Sequence, residues 1–482
     1  MSAPGSTSTP RSEPERASSP PALTARSSPH SGVPLIRRLH FYAGVLVAPF
    51  ILIAAITGAL YAVAPTLERV VYRDILVVDP GEQALPLTEQ AAAAQAAHTG
   101  LVMAGMRPAA DPRDSTRVLF ADPALGPDTQ LAVFVDPYAG RVLGAEPVWF
   151  GHLPLSTWLD GLHRHLRLGE PGRLYSELAA SWLWVVALGG LALWWTRRRS
   201  ERRRGERARL LMPSPGIGRS RTLNWHAAVG VWILPMLLFL SATGITWSTF
   251  AGATVSDIRT HFDWERPALV TALGDSSAQT PGDDHAGHAG HGGQAPMPAA
   301  PVDVDGVVAA AASAGVELPL ELTLPAEPGE AVGMIEVDEP YRLTTDAAAV
   351  DPVTLRVTSS VDYANDYSTI AKLADWGIRM HMGFLFGWLN QLVLFVVAVG
   401  LVTVIVRGYR MWWQRRPTRA SDRLVGRPPA RGVLRRTHPG IVAVVVIAAI
   451  AVGWFLPLLG VSLVAFLVAD VAIGRVRALR HR

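Results

Sequence analysis

Cysteine is missing from all 482 residues. Its absence excludes thiolate metal sites, iron–sulfur clusters, disulfides and covalent attachment of c-type haem. Lysine is nearly missing as well: Lys372 stands alone, and arginine supplies almost all the positive charge. Charge of either sign is scarce at 17%, against 49% hydrophobic residues and a positive mean hydropathy of +0.24. This composition belongs to membrane proteins. The net charge of +4 is strongly partitioned along the chain and reads as topology, so no nucleic acid partner is expected. No Gly-x-Gly-x-x-Gly run follows a strand pattern.

Residues 1–33, rich in Ser, Pro, Ala and Thr, read as a disordered cytoplasmic tail. The first apolar segment, about 41–64, ends in Ala62-Val63-Ala64, which resembles a signal-peptidase site. Its apolar run is too long for a signal peptide, so a retained span is expected. Further apolar stretches lie at about 174–196, 227–250, 384–406 and 440–474. The last is too long for one span and carries Leu456-Pro457 near its middle, so it reads as a hairpin of two short helices. The expected count is six spans.

Arginine placement sets the expected orientation. Residues 197–224 and 407–437 each carry ten arginines, whereas 251–375 carry twenty acidic residues against five basic ones. Both termini and the Arg-rich loops are therefore expected in the cytoplasm and the long loops outside. The expected plan is TM1 at 35–64, an outer module at 65–160, and a His segment with TM2 at 161–196. An Arg-rich loop follows at 197–224, then TM3 at 225–250 and a second outer module at 251–375 with an insert at 279–300. A second His segment with TM4 occupies 376–408, an Arg-rich loop 409–437, the TM5–TM6 hairpin 438–474, and a short tail 475–482. Each outer module reads as a small α+β unit: a helix-prone run, then strands closing on an Asp-Pro turn at Asp136-Pro137 and Asp351-Pro352. The fold class is thus a polytopic all-α membrane protein with about six transmembrane helices, plus two small α+β extracytoplasmic modules.

The chain repeats itself. His40 is followed by Gly44, Pro49 and Thr57-Gly58 at offsets of 4, 9, 17 and 18, and His226 by Gly230, Pro235 and Thr243-Gly244 at the same offsets. His163 is followed by Gly169 and Trp194-Trp195 at offsets of 6, 31 and 32, matched by His381, Gly387 and Trp412-Trp413. This is an internal duplication with parallel repeats. It places His40 and His226 near the cytoplasmic surface, and His163 and His381 at or above the outer one. A single histidine at a helix end is ordinarily just an interfacial polar group. Two repeat-related pairs are a ligand set for two b-type haems, which need no cysteine. His165 is an alternative to His163, and His438 an alternative at the inner level. The first four spans carry no ionisable side chain within their apolar cores, which suits an electron conduit better than an ion-coupled permease. Asp470 reads as snorkelling to the inner interface.

These residues resemble the PepSY-associated transmembrane family, which includes iron-regulated membrane proteins and inner-membrane ferric-siderophore reductases. The motifs are Leu39-His40…Thr57-Gly58, Leu162-His163-Arg164…Gly169-Glu170-Pro171-Gly172-Arg173, Trp225-His226…Thr243-Gly244 and His381-Met382-Gly383…Gly387, closed by Trp194-Trp195-Thr196-Arg197. The likeness covers about residues 35–475. Trp225-His226-Ala227 stands where the family often has Leu-His-Arg, and Phe384-Leu385-Phe386-Gly387 is bulkier than the usual glycine-rich motif. The resemblance implies PepSY-like outer modules, two histidine-held haems in reductase members, and the bacterial cytoplasmic (inner) membrane.

The leading expectation is a transmembrane haem oxidoreductase. A soluble cytoplasmic reductant or flavoprotein, using NAD(P)H or flavin, would feed it, because loops of about thirty residues cannot fold a flavin domain. An extracytoplasmic ferric chelate would accept the electrons. The alternatives are a haem-free scaffold or sensor that binds a protein partner, and a metal-uptake component using His285, His288 and His291 of the insert.

Overall fold

The computed structural model describes residues 32–203, 212–213, 216–274, 302–415, 429 and 437–480. The first apolar segment forms α1 (Val33–Leu46) and α2 (Ala48–Ala62), bent by 59° where they meet. Pro49 explains the bend: with no N–H it leaves the Val45 carbonyl without its helical donor. The Tyr409 hydroxyl donates to that carbonyl at 2.8 Å. After α3 (Ala64–Val71), α4 (Arg73–Leu76) and the outer α5 (Leu87–Ala97), the chain returns through α6 (Pro154–His165) and the long α7 (Glu170–Arg203). The second unit repeats this plan as α8 (Arg219–Ile245), α9 (Phe250–His261), α10 (Val304–Ser313), α11 (Tyr363–Asp366), α12 (Thr369–Met382) and α13 (Gly387–Trp413). Here Pro235 sits inside an unbroken α8. Helices α2, α7, α8 and α13 pack as a closed ring of neighbours.

The last elements, α14 (Pro439–Phe455) and α15 (Pro457–Arg480), form the expected hairpin, turning at Leu456-Pro457. It is fastened to the first unit by an ion pair between Arg38 and Asp470 and by Trp182 Nε1 donating to Ser462 Oγ at 2.8 Å. Asp470 is therefore paired with Arg38, two residues from His40.

The expectation of six spans is corrected. Among the described residues, four helices are long and apolar enough to cross a membrane, or five when α1 and α2 count as one bent span. Helix α14 has 17 residues, which falls short of the ~20 that a bilayer core requires. The protein is polytopic, but the all-α description is corrected too. The expected pair of separate α+β modules is one antiparallel sheet of eight strands, in the order β4-β3-β2-β1-β5-β6-β7-β8. The first loop supplies β1 (Val102–Arg107), β2 (Thr116–Ala121), β3 (Thr129–Val135) and β4 (Val142–Trp149). The second supplies β5 (Leu320–Thr323), β6 (Val332–Glu336), β7 (Ala347–Val350) and β8 (Val357–Val361). Each loop is a four-stranded meander, and the two join where β1 pairs with β5, Met106 opposite Leu322. Pairing removes what would otherwise be two exposed edges.

The two Asp-Pro turns are built alike. Asp136 Oδ1 accepts from the Tyr138 and Ala139 amides, and Asp351 Oδ1 from those of Val353 and Thr354. Helices α5 and α10 cover one face of the sheet. Met106, Val118 and Phe120 share a single core there with Leu322, Val332 and Met334. The second module also caps the first: Asp305 of α10 accepts from the Leu87 and Thr88 amides and the Thr88 hydroxyl of α5. Burial raises the Asp305 pKa, but these hydrogen bonds outweigh it and hold the carboxyl below its usual range.

A depressed carboxylate stabilises the fold above its unfolded pKa and loses that effect as pH falls. Asp305→Ala is expected to cost about 1 kcal/mol at neutral pH, read as a lower unfolding midpoint in detergent. The gap from wild type should close as pH drops below ~4; a gap independent of pH would contradict this account.

Candidate functional site

Each of the four repeat histidines is gripped at Nδ1. On the arginine-rich side of the bundle, His40 Nδ1 meets the Val186 carbonyl of α7 at 3.0 Å, and His226 Nδ1 meets the Val404 carbonyl of α13 at 2.9 Å. A carbonyl only accepts, so both Nδ1 atoms carry the proton. On the sheet side, His163 Nδ1 meets Thr57 Oγ1 of α2 at 3.0 Å, and His381 Nδ1 meets Thr243 Oγ1 of α8 at 2.6 Å. Each threonine hydroxyl already donates its one proton back to its own helix, to the Ile53 carbonyl at 2.9 Å and the Phe239 carbonyl at 2.8 Å. It can therefore only accept from the imidazole. All four rings are thereby held as the tautomer whose Nε2 has a free lone pair.

Glycines let the rings approach. A Cβ on Gly58 would stand 3.0 Å from His163 Cε1 and one on Gly244 3.6 Å from His381 Cε1. At the other level, a Cβ on Gly190 or Gly408 would stand 3.2 or 3.7 Å from Cε1 of His40 or His226. The Thr-Gly dipeptides of the repeat are thus the sockets for the histidines of α6 and α12. Gly190 and Gly408 each lie 27 residues beyond those histidines, and Val186 and Val404 lie 23 beyond, a regularity present in the sequence.

The rings pair across the pseudo-twofold axis. His40 and His226 have ring centres 6.4 Å apart with planes at 76°. His163 and His381 lie within electrostatic range of each other. Thr57 is seventeen residues along from His40, as Thr243 is from His226, which puts the two levels up to ~25 Å apart along each helix. The sheet-side pair sits deeper than a straight helix would place it. Leu166, Arg167 and Gly169 take left-handed backbone and reverse the chain between α6 and α7, and Gly383 and Gly387 do so between α12 and α13. The break ends at Gly169, and Glu170-Pro171-Gly172 form the first turn of α7.

The alternatives fall elsewhere. His165 does not meet Thr57; its Cε1 lies toward Gly161, beside the Arg167 side chain. The His438 ring caps α14, its Nδ1 accepting from the Gly440 amide at 3.1 Å. His285, His288 and His291 lie outside the described residues.

Two aromatic residues went unnoticed in the sequence. Tyr61 stacks on His163 at 6.3 Å between ring centres, and Trp247 leans on His381 at 5.6 Å. Both follow the first-helix histidine of their unit by 21 residues, so extending the repeat by three positions finds them. They line a cavity of about 270 Å³ that also touches Arg107, Glu321, Thr323 and Ile335 on the sheet face opposite α5 and α10. Its roof is the β1–β5 seam, where Arg107 Nε donates to Glu321 at 3.2 Å. In its wall Arg379, only 3% exposed, lies against Asp338 at 2.6 Å and Asp375 at 3.5 Å. Burial pushes the Asp375 carboxyl above its usual range despite Arg379 and Arg266, and does the same to Asp160 against Arg164. Beside the cavity, burial and the neighbouring Arg107 lower Arg117 to about 10.

Fold and site together define a polytopic membrane protein with two levels of tautomer-locked histidine pairs beneath a duplicated sheet domain. The chain matches the family model described as the PepSY-associated TM region over residues 37–415, and it belongs to that family. Comparison with curated proteins returns no match.

Thr57→Val keeps the shape but removes the acceptor of a buried N–H. It should cost about 1–3 kcal/mol, measured by thermal unfolding in detergent, with Thr57→Ser much milder. Equal stability of the valine and serine variants would remove the hydrogen bond from the account.

Proposed function

We propose that the protein carries electrons across the bacterial cytoplasmic membrane on two b-type haems and reduces an extracytoplasmic ferric chelate. His40 and His226 would hold one haem, and His163 and His381 the other. In this reading both termini are cytoplasmic, and a soluble reductant or flavoprotein using NAD(P)H or flavin docks at the arginine-rich end. The observation that carries the reading is the shared state of the four imidazoles: every Nδ1–H is spent on the protein, and every Nε2 is left available to a metal.

The residues fit such a group. His40 and His226 have ring centres 6.4 Å apart, a separation that would admit one metal ion between them at metal–nitrogen distances of ~2.0 Å. All four histidines are half-buried, as rings facing an internal slot would be. One helical turn from His40 and His226, Cβ atoms on Gly44 and Gly230 would meet nothing within 4 Å, so the backbone leaves room on the ligand's own face. Bound there, each haem supplies one-electron redox chemistry with no open iron position. The chain's part is to orient the rings through Val186, Val404, Thr57 and Thr243. The low-dielectric helix ring of α2, α7, α8 and α13 excludes water between the two levels.

The purified protein, made with ample haem, should give a dithionite-reduced minus oxidised spectrum with a b-type α band and about two haems per chain. His40→Ala and His381→Ala should each remove about one haem. Gly58→Ala should perturb the sheet-side haem more than Gly244→Ala, since its Cβ lies closer to the ring. A featureless spectrum would sink the reading and favour a haem-free scaffold.

A further inference from the structure

We propose that the cavity over His163 and His381 is the acceptor site and that it takes a compact polycarboxylate chelate of ferric iron. The proposal deepens the transmembrane reductase reading and rests on it. Position is the first argument. The cavity is roofed by the seam between the two halves of the sheet and floored by Tyr61 and Trp247, the two aromatic rings packed on the sheet-side histidines. A molecule held there is separated from the ligand rings by a single layer of π-systems.

Charge is the second argument. The lining holds six arginines against five carboxylates, which leaves the arginines in excess by one. Two of those arginines are loosely held. Arg164 lies 3.5 Å from Asp160 and Arg173 3.8 Å from Glu170, with side chains 43% and 38% exposed. Exchanging the exposed Arg173–Glu170 pair for a ligand carboxylate costs little, and the planar guanidinium fork of either arginine matches a carboxylate in bidentate fashion. Arg164 is already flattened over the Trp149 ring at 5.0 Å, which limits the freedom it would lose on binding.

Size is the third. About 270 Å³ lies at the lower edge of the ~300–1,000 Å³ usual for ligand pockets. It admits a small carboxylate chelate whole and a bulky trihydroxamate complex only in part. The chelated Fe(III) takes one electron, originating from the cytoplasmic donor, and becomes Fe(II); no proton or covalent bond moves. The softer demand of Fe(II) for hard oxygen ligands then loosens the chelate.

Binding is separable from electron transfer by using redox-inert gallium(III) citrate as the probe, titrated calorimetrically into the purified full-length protein. Wild type should bind it, more weakly as salt rises. The double variant Arg164→Gln/Arg173→Gln should bind at least tenfold more weakly, and Arg164→Lys/Arg173→Lys should fall between. A gallium(III) trihydroxamate complex should not compete. The glutamine pair is partly exposed, and an unchanged unfolding midpoint and haem spectrum would show that it folds. No binding by wild type, wild-type affinity in the glutamine variant, or full displacement by the trihydroxamate complex would each overturn the proposal. A haem spectrum without gallium citrate binding defeats this site alone, whereas binding with a featureless spectrum defeats the reductase reading.

Discussion

A hydrogen bond at Nδ1 of each histidine is the constraint around which the molecule is arranged. To make it, each unit must bring its two apolar helices together at both ends. At one end the first helix offers the ring and the second a carbonyl; at the other, the second helix's preceding segment offers the ring and the first a threonine. The reversals after α6 and α12, the glycines beneath the rings and the back-bonded threonines all serve those four contacts. Four rings are held as one tautomer by these contacts. An unpartnered imidazole at a helix end would have none of this definition.

Duplication supplies the second organising constraint. Two parallel copies related by a twofold axis put like residues face to face, and on the sheet side the axis runs through a strand seam as well. Gly105 and Met106 on β1 lie against Thr323 and Leu322 on β5. One hydrophobic core serves both copies, and Asp305 caps the opposite module's helix. The sheet domain is therefore one continuous body, and at its central seam Arg107 and Glu321 line the cavity with Tyr61 and Trp247.

The copies have also diverged where their surroundings differ. Pro49 bends the first unit's helix, with Tyr409 answering the freed carbonyl, while Pro235 leaves α8 continuous. At the strand turn, Gly140 takes a left-handed conformation for which Leu355 stands in the second copy, a less comfortable choice for a branched side chain. At the sheet-side histidines, Arg164 follows His163, whereas Met382 follows His381. The cavity is thus lopsided in charge even though its scaffold is symmetric.

The sequence by itself determined the repeat, the membrane class, the hairpin and the four histidines, because these depend on periodicity and spacing along one chain. It also held, unread, the regular offsets of Tyr61 and Trp247 and of the valine carbonyls. Tertiary structure alone decided the rest. Whether two meanders stay apart or fuse depends on which edges meet in space, so the single eight-stranded sheet was not visible beforehand. His163 prevails over His165 because Thr57 faces it, a contact between residues 106 positions apart. Asp470 found Arg38 across 432 residues. Spacing along the chain names the groups that can do chemistry; which of them share a pocket is settled by packing between distant segments, and local pattern carries no record of it.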